Sequence, residues 1–126
     1  MRRIMKKILL VDDEADLVAL LESKLRNIGY QVITAQDGLD GLNKARNDLP
    51  DLIILDVMMP KINGYTICGL LKANDQYRSI PIIMLTARSR KVDQTFDSAT
   101  KPDVYITKPF DSNLLLDKIE HLVNAG

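Results

Sequence analysis

The feature that most constrains the fold is a regular alternation of short apolar runs with amphipathic segments of helical spacing. Short unbroken apolar runs predict strands that are buried on both faces, and the segments between them predict helices that cover the sheet. A strand–helix–strand rhythm indicates parallel strands joined by right-handed crossovers. The chain is therefore predicted to be a doubly wound α/β domain with a five-stranded parallel sheet, of (βα)5 type.

Boundaries for these elements follow from the runs and from the residues that flank them. Strands are expected at 7–11, 31–35, 52–55, 80–85 and 104–106. The first helix is predicted by Leu17, Leu20, Leu21, Leu25 and Ile28, with Gly29 as its C-terminal cap. Leu39 and Leu42 indicate the second helix, and Ile67, Leu70 and Leu71 indicate the third. A weak fourth helix is expected at about 91–99 and a last one at 111–124.

Composition excludes several classes of protein. The 126 residues suit one domain, 1–126, and 17 basic residues balance 17 acidic ones. This balance gives no electrostatic footprint for nucleic acid or for a membrane surface. No apolar run approaches the roughly 18 residues of a membrane span. Cys68 is the single cysteine, so it is expected to be a core residue of a soluble, cytoplasmic protein.

Charged and polar residues follow four of the predicted strands. Asp12 and Asp13 follow the first strand, Asp56 the third, Thr86 the fourth and Lys108 the fifth. In an open parallel sheet, ligands bind outside the carboxyl ends of the strands. Taken singly, the acids could be helix caps and the lysine a surface residue. Because the strands bring them to one edge of the sheet, we expect them to form a site.

The residue types in this predicted site suit phosphoryl chemistry with a hard metal ion. Crowded carboxylates repel one another unless a cation lies among them, and oxygen-only ligands favour an ion such as Mg²⁺. Asp56 is placed by a rigid strand, so its carboxylate can attack a phosphoryl group. Lys108 and Thr86 would then neutralise and hydrogen-bond phosphoryl oxygens.

Four segments carry a resemblance to a known family. The segments "ILLVDDE", "DLIILDVMMPKINGY", "PIIMLTA" and "VYITKPF" resemble the signature segments of the response regulator receiver domain, the CheY-like phosphoacceptor of two-component signalling. The resemblance extends over nearly the whole chain. It implies a flavodoxin-like fold with strand order 2-1-3-4-5.

The resemblance also implies roles for individual residues. Asp56 matches the aspartate that accepts a phosphoryl group from a sensor histidine kinase or a phosphotransfer protein. The implied ligands of Mg²⁺ (or Mn²⁺) are the carboxylates of Asp12, Asp13 and Asp56 and the backbone carbonyl of Met58. Lys108 matches the family lysine, and the Lys108–Pro109 bond is expected to be cis.

Further positions match the switching and lifetime-tuning residues of the family. Thr86 and Tyr105 match the switch pair, while Met58 and Arg88 occupy the positions that tune the lifetime of the phosphoryl group. Met58 offers no polar group to orient a hydrolytic water, so a long lifetime is expected. The fourth predicted helix, the fifth strand and the last helix would form the face read by a downstream protein, without direct contact to nucleic acid or membrane.

One segment departs from the family pattern. A glycine-containing turn usually precedes the fifth strand, whereas this chain has "KPDVY" at 101–105. Losing the glycine removes an easy φ > 0 position, and Pro102 stiffens the turn. We therefore expect a short, shifted or mobile fourth helix, which leaves the output partner open.

Three other functions fit this sequence less well than a phosphoacceptor does. An enzyme with an aspartyl-phosphate intermediate would want a second acid just after the nucleophile, where this chain has Val57 and Met58. An unphosphorylated interaction module would show loss of the acid pair, Thr86 or Lys108. A flavodoxin-like cofactor binder would not place acids after the first strand. The favoured interpretation is a signalling domain that catalyses only its own phosphorylation and dephosphorylation, with His121 a surface residue.

Overall fold

The computed structural model describes residues 5–87 and 101–124. Its five parallel strands lie in the order β2-β1-β3-β4-β5. They are β1 (Lys7–Val11), β2 (Gln31–Ala35), β3 (Leu52–Asp56), β4 (Ile82–Ala87) and β5 (Val104–Lys108). The predicted α/β class and the strand order 2-1-3-4-5 are both confirmed.

Helices cover both faces of this sheet. The described helices are α1 (Ala15–Ile28), α2 (Gly38–Asp48), α3 (Gly64–Lys72) and α4 (Ser112–Val123). α2 and α3 pack on one face, and α1 and α4 pack on the other. The weak helix expected at about 91–99 lies outside the described residues, so α4 corresponds to the last predicted helix.

The central strands are apolar because both of their faces are buried. Along β1, Ile8 and Leu10 contact the layer of α1 and α4, while Leu9 and Val11 contact the layer of α2 and α3. Successive strand residues point to opposite faces, so an unbroken apolar run fills both layers. All five residues of β3 are buried as well. This rigid centre positions the ends of the strands.

The helices bury narrower stripes than the sequence predicted. α1 buries Val18, Leu21 and Leu25, whereas Leu20 and Ile28 are 51% and 57% exposed. Leu39 and Leu70, which helped to place α2 and α3, are also exposed. A helix on an open sheet contacts it along one side, so leucines at the border of the apolar stripe stay in solvent.

A buried lysine near the amino ends of β4 and β5 anchors the atypical segment that precedes β5. Lys72 ends α3, and its Nζ donates to the carbonyls of Arg78 and Ile80, at 3.1 and 2.8 Å, and to Asp103 Oδ2 at 2.9 Å. The same Asp103 oxygen accepts from Ile82 N at 2.8 Å. The ammonium therefore links the loop after α3 to the "KPDVY" turn, a role that no local residue pattern indicates.

Candidate functional site

Three carboxylates meet at the carboxyl edge of the sheet. Asp56 is the last residue of β3, and Asp12 and Asp13 directly follow the neighbouring strand β1. One carboxylate oxygen from each residue lies within 4.8 Å of the other two. Asp12 is fully buried and Asp56 is 6% exposed, whereas Asp13 is exposed. The sheet thus brings together the three acids that the sequence predicted to converge.

The raised pKa of Asp56 shows that its ionised form is unfavourable in this cluster. Burial desolvates the carboxylate and Asp12 repels it, so the pKa of Asp56 is raised from 3.8 to about 6 although Lys108 acts in the opposite direction. Desolvation and like charge both disfavour the ionised form of an acid. A cation among the three acids would relieve both effects, so the donor set fits a hard divalent ion.

Lys108 reaches this cluster from the end of β5, across β4. Its Nζ lies 3.0 Å from Asp12 Oδ2, 2.7 Å from Glu14 Oε1 and 3.4 Å from Asp56 Oδ1. Burial alone would lower the pKa of Lys108, but hydrogen bonds to Glu14 and Asp12 and the charges of Asp12 and Asp56 raise it above its ordinary value. The ammonium therefore stays charged at physiological pH and partly neutralises the acids.

Thr86 lies inside β4, between the strands that end at Asp56 and Lys108. Its residue is 3% exposed, and its buried Oγ1 has no hydrogen-bond partner in the described part of the chain. A buried hydroxyl without a partner is costly and uncommon. The hydroxyl is thus available to a ligand oxygen that enters the site.

The remaining residues predicted for the site lie on β5 or in the loops around the three acids, except for one outside the described residues. The Lys108–Pro109 peptide bond is cis, the isomer that the resemblance implies. Tyr105 on β5 is half-buried and packs against the core cluster of the α2–α3 face. The side chain of Met58 is 60% exposed, in the loop after β3. Arg88 lies outside the described residues.

The loop between β3 and α3 is held close to Asp56 by a glycine. Gly64 N donates to Val57 O at 2.8 Å, and a Cβ at Gly64 would lie 2.4 Å from the backbone oxygen of Asp56. A larger residue would therefore displace the end of β3. The side chain of Asn63 caps α3 by accepting from Thr66 N at 2.9 Å. The loop at residues 61–64 therefore packs tightly against β3, the strand that carries Asp56.

Sequence reasoning missed the part played by Glu14. It follows the acid pair and contacts Lys108, a role that was not predicted from the residue pattern. A signal was present, because glutamate is a poor N-cap compared with aspartate or serine. His121 is exposed and Cys68 is buried, as predicted. None of the helices in the described ranges is long and apolar enough to cross a membrane.

Comparison with known proteins identifies the family. The sequence pattern of the response regulator receiver domain matches residues 8–120. The alkaline phosphatase synthesis transcriptional regulatory protein PhoP of Bacillus subtilis (strain 168) is 48% identical over 105 residues, which are 83% of this chain and 43% of PhoP. Protein PilG of Pseudomonas aeruginosa is 37% identical over 114 residues, which are 90% of this chain and 84% of PilG.

A solved structure of a receiver domain has the same fold as this chain. The receiver domain of a sensor histidine kinase from Pseudomonas aeruginosa PAO1, with a magnesium ion coordinated in its active-site cleft, has a TM-score of 0.83 and 28% identity. The match covers 95% of this chain and 98% of that one. This chain spans less than half the length of PhoP. The matched pattern and these relatives show that the chain belongs to the family of response regulator receiver domains.

Proposed function

We propose that residues 1–126 act as one receiver unit in which Asp56 accepts a phosphoryl group from the phosphohistidine of a sensor kinase or a phosphotransfer protein. The observation that carries this proposal is the convergence of Asp56 with Asp12, Asp13 and Lys108 at one edge of the sheet. A donor of this kind would be met in the cytoplasm. The partners of the whole protein are part of the same proposal.

The transfer step needs a nucleophile that is positioned rather than strongly basic. The ionised carboxylate of Asp56 attacks phosphorus, the phosphorus–nitrogen bond of the donor breaks, and the leaving imidazole takes up a proton. With its pKa near 6, Asp56 is mostly ionised at neutral pH. The buried end of β3 holds the carboxylate in one place, which lowers the entropic cost of the reaction.

Four groups would hold Mg²⁺ or Mn²⁺ in this site. They are the carboxylates of Asp12, Asp13 and Asp56 and the backbone carbonyl of Met58. When bound, the ion supplies positive charge for the carboxylates and for phosphoryl oxygens. The raised pKa of Asp56 supports this assignment, because burial and the charge of Asp12 both disfavour its ionised form and a nearby cation would favour it.

Lys108 and Thr86 would contact the phosphoryl oxygens. The Lys108 ammonium already lies 3.4 Å from Asp56 Oδ1, so it can stabilise charge next to the acceptor. The partnerless hydroxyl of Thr86 would donate to a second oxygen. Hydrolysis of the product would use the same groups, so the domain would catalyse only its own phosphorylation and dephosphorylation.

The signal would pass from Thr86 to a protein-binding face. Movement of Thr86 toward the phosphoryl group leaves space that Tyr105, half-buried on the neighbouring strand, would fill. Tyr105 lies on β5, and β5 and α4 belong to the face proposed to bind a downstream protein. This proposal includes no direct contact with nucleic acid. Met58 and Arg88 would tune the lifetime of the phosphoryl group on Asp56.

Incubation with acetyl phosphate and Mg²⁺ followed by intact-mass spectrometry tests the proposal. The wild-type chain should gain one phosphoryl group, and Asp56→Ala should gain none. Asp16→Asn, which removes an exposed acid in the first turn of α1, serves as the matched control and should react like wild type. A wild-type chain that stays unmodified would instead favour an unphosphorylated interaction module.

A further inference from the structure

The ammonium of Lys108 lies closer to Glu14 than to the aspartates it would serve. Among the carboxylates that the structure describes around it, Glu14 is at 2.7 Å, Asp12 at 3.0 Å and Asp56 at 3.4 Å. The Glu14 side chain is 60% exposed, whereas Lys108 is 20% exposed. The lysine is thus drawn toward the solvent side of the site.

Glu14 is not engaged in capping the helix that it precedes. It occupies the N-cap position of α1, yet its side chain makes no cap hydrogen bond to this helix. Its backbone N–H donates to Asp12 Oδ1 at 2.9 Å, which places the residue beside the acid cluster. The shorter side chains of Asp, Asn, Ser and Thr suit the N-cap better. The Glu14 carboxylate is directed at Lys108 instead.

We propose that Glu14 is a positioning residue that draws the Lys108 ammonium toward the solvent side of the site and releases it further toward Asp56 when Asp56 becomes phosphorylated. The inference rests on the proposed function of Asp56. An ammonium has three N–H donors, and here three carboxylates face them. A phosphoryl group on Asp56 would add strong acceptor oxygens. The most exposed of the three partners, Glu14, is the one whose loss costs least.

Two substitutions distinguish positioning of Lys108 by Glu14 from a simple effect of the charge of Glu14. Glu14→Gln removes the charge, whereas Glu14→Asp keeps it on a side chain that is one methylene shorter and better suited to cap α1. Both variants should be phosphorylated by acetyl phosphate about two- to fivefold faster than wild type at saturating Mg²⁺, the range expected for an exposed ion pair. Asp16→Asn, an acid change in the same helical turn, should leave the rate unchanged.

A second readout does not depend on phosphorylation. Without Glu14, Lys108 rests on Asp12 and Asp56 and competes with a metal ion for them. In an NMR titration, the dissociation constant for Mg²⁺ should therefore rise about two- to fivefold in both Glu14 variants and stay constant in Asp16→Asn.

The outcomes distinguish the inference from its alternatives. If Glu14→Asp matches wild type while Glu14→Gln reacts faster, net charge alone explains the effect and the hold on Lys108 is refuted. Unchanged rates and Mg²⁺ affinities in both variants refute it too. If the wild type takes up no phosphoryl group but both variants lose Mg²⁺ affinity, the hold on Lys108 is supported and the proposed function of Asp56 fails.

Discussion

Replacing Asp56 by asparagine should stabilise the protein at neutral pH when divalent cations are absent. The pKa of Asp56 is raised from 3.8 to about 6, chiefly because burial desolvates the carboxylate and Asp12 repels it. At about 1.4 kcal/mol per tenfold change, ionising this group in the folded protein costs about 3 kcal/mol. Asparagine has nearly the same shape without the charge. Allowing for the contact with Lys108 that is lost, we expect a gain of about 1–3 kcal/mol.

The gain should appear within a defined pH window. Below pH 3.8 the carboxyl is protonated in both the folded and the unfolded chain, so its ionisation contributes nothing. As the pH rises from 3.8 to about 6, the unfolded chain ionises first and the wild type loses stability relative to the variant. Above a pH of about 6 the penalty is complete, and the difference in unfolding free energy should reach a plateau.

Urea denaturation followed by circular dichroism, with EDTA present, measures this difference. Wild type, Asp56→Asn and the exposed control Asp117→Asn would be compared at about pH 4, 5, 6 and 7.5. The control should show no growing difference across this range. A variant that is no more stable than wild type at the highest pH, or a gain that stays constant with pH, would show that the acid cluster does not strain the fold.

Three further predictions concern substitutions at single residues. Thr86→Val removes a buried hydroxyl that lacks a partner in the described ranges, so it should raise the unfolding free energy by about 1 kcal/mol; a loss of stability would show that the hydroxyl is satisfied. Lys72→Met should cost about 2–4 kcal/mol in urea denaturation, because it leaves Asp103 and two backbone carbonyls without their ammonium. Adding Asp103→Asn to that variant should recover part of the loss, and strict additivity of the two changes would refute the coupling. Met58→Asn should shorten the lifetime of the phosphorylated protein, since an amide can orient a hydrolytic water; radiolabel decay that is no faster than in wild type would contradict this.

The existence and approximate positions of the strands were predictable because their signals are local. A parallel strand that is buried on both faces must be apolar, so runs such as that of β3 mark their own position. Asp56 and Lys108 are the last residues of β3 and β5, and Thr86 lies one residue before the end of β4. The rule that ligands bind at the carboxyl ends of parallel strands then places them at one edge. The predicted fourth strand, 80–85, began and ended two residues early, and the predicted fifth strand ended two residues early, because apolar content does not mark where strand pairing begins and ends.

The amino-acid sequence by itself determined three things: the sheet with helices on both faces, the position of the acidic residues at the ends of its strands, and the family of the protein. Each can be recognised from periodicity or from short motifs, which involve only a few neighbouring residues. Only the tertiary structure decided which carboxylate lies nearest to the Lys108 ammonium, since its partners Asp12 and Glu14 are 96 and 94 residues away along the chain. The same holds for Lys72, which finds Asp103 across 31 residues, and for Leu20, whose exposure depends on how α1 lies against the sheet. Distances and solvent exposure arise from packing between remote segments, and such packing leaves no local pattern.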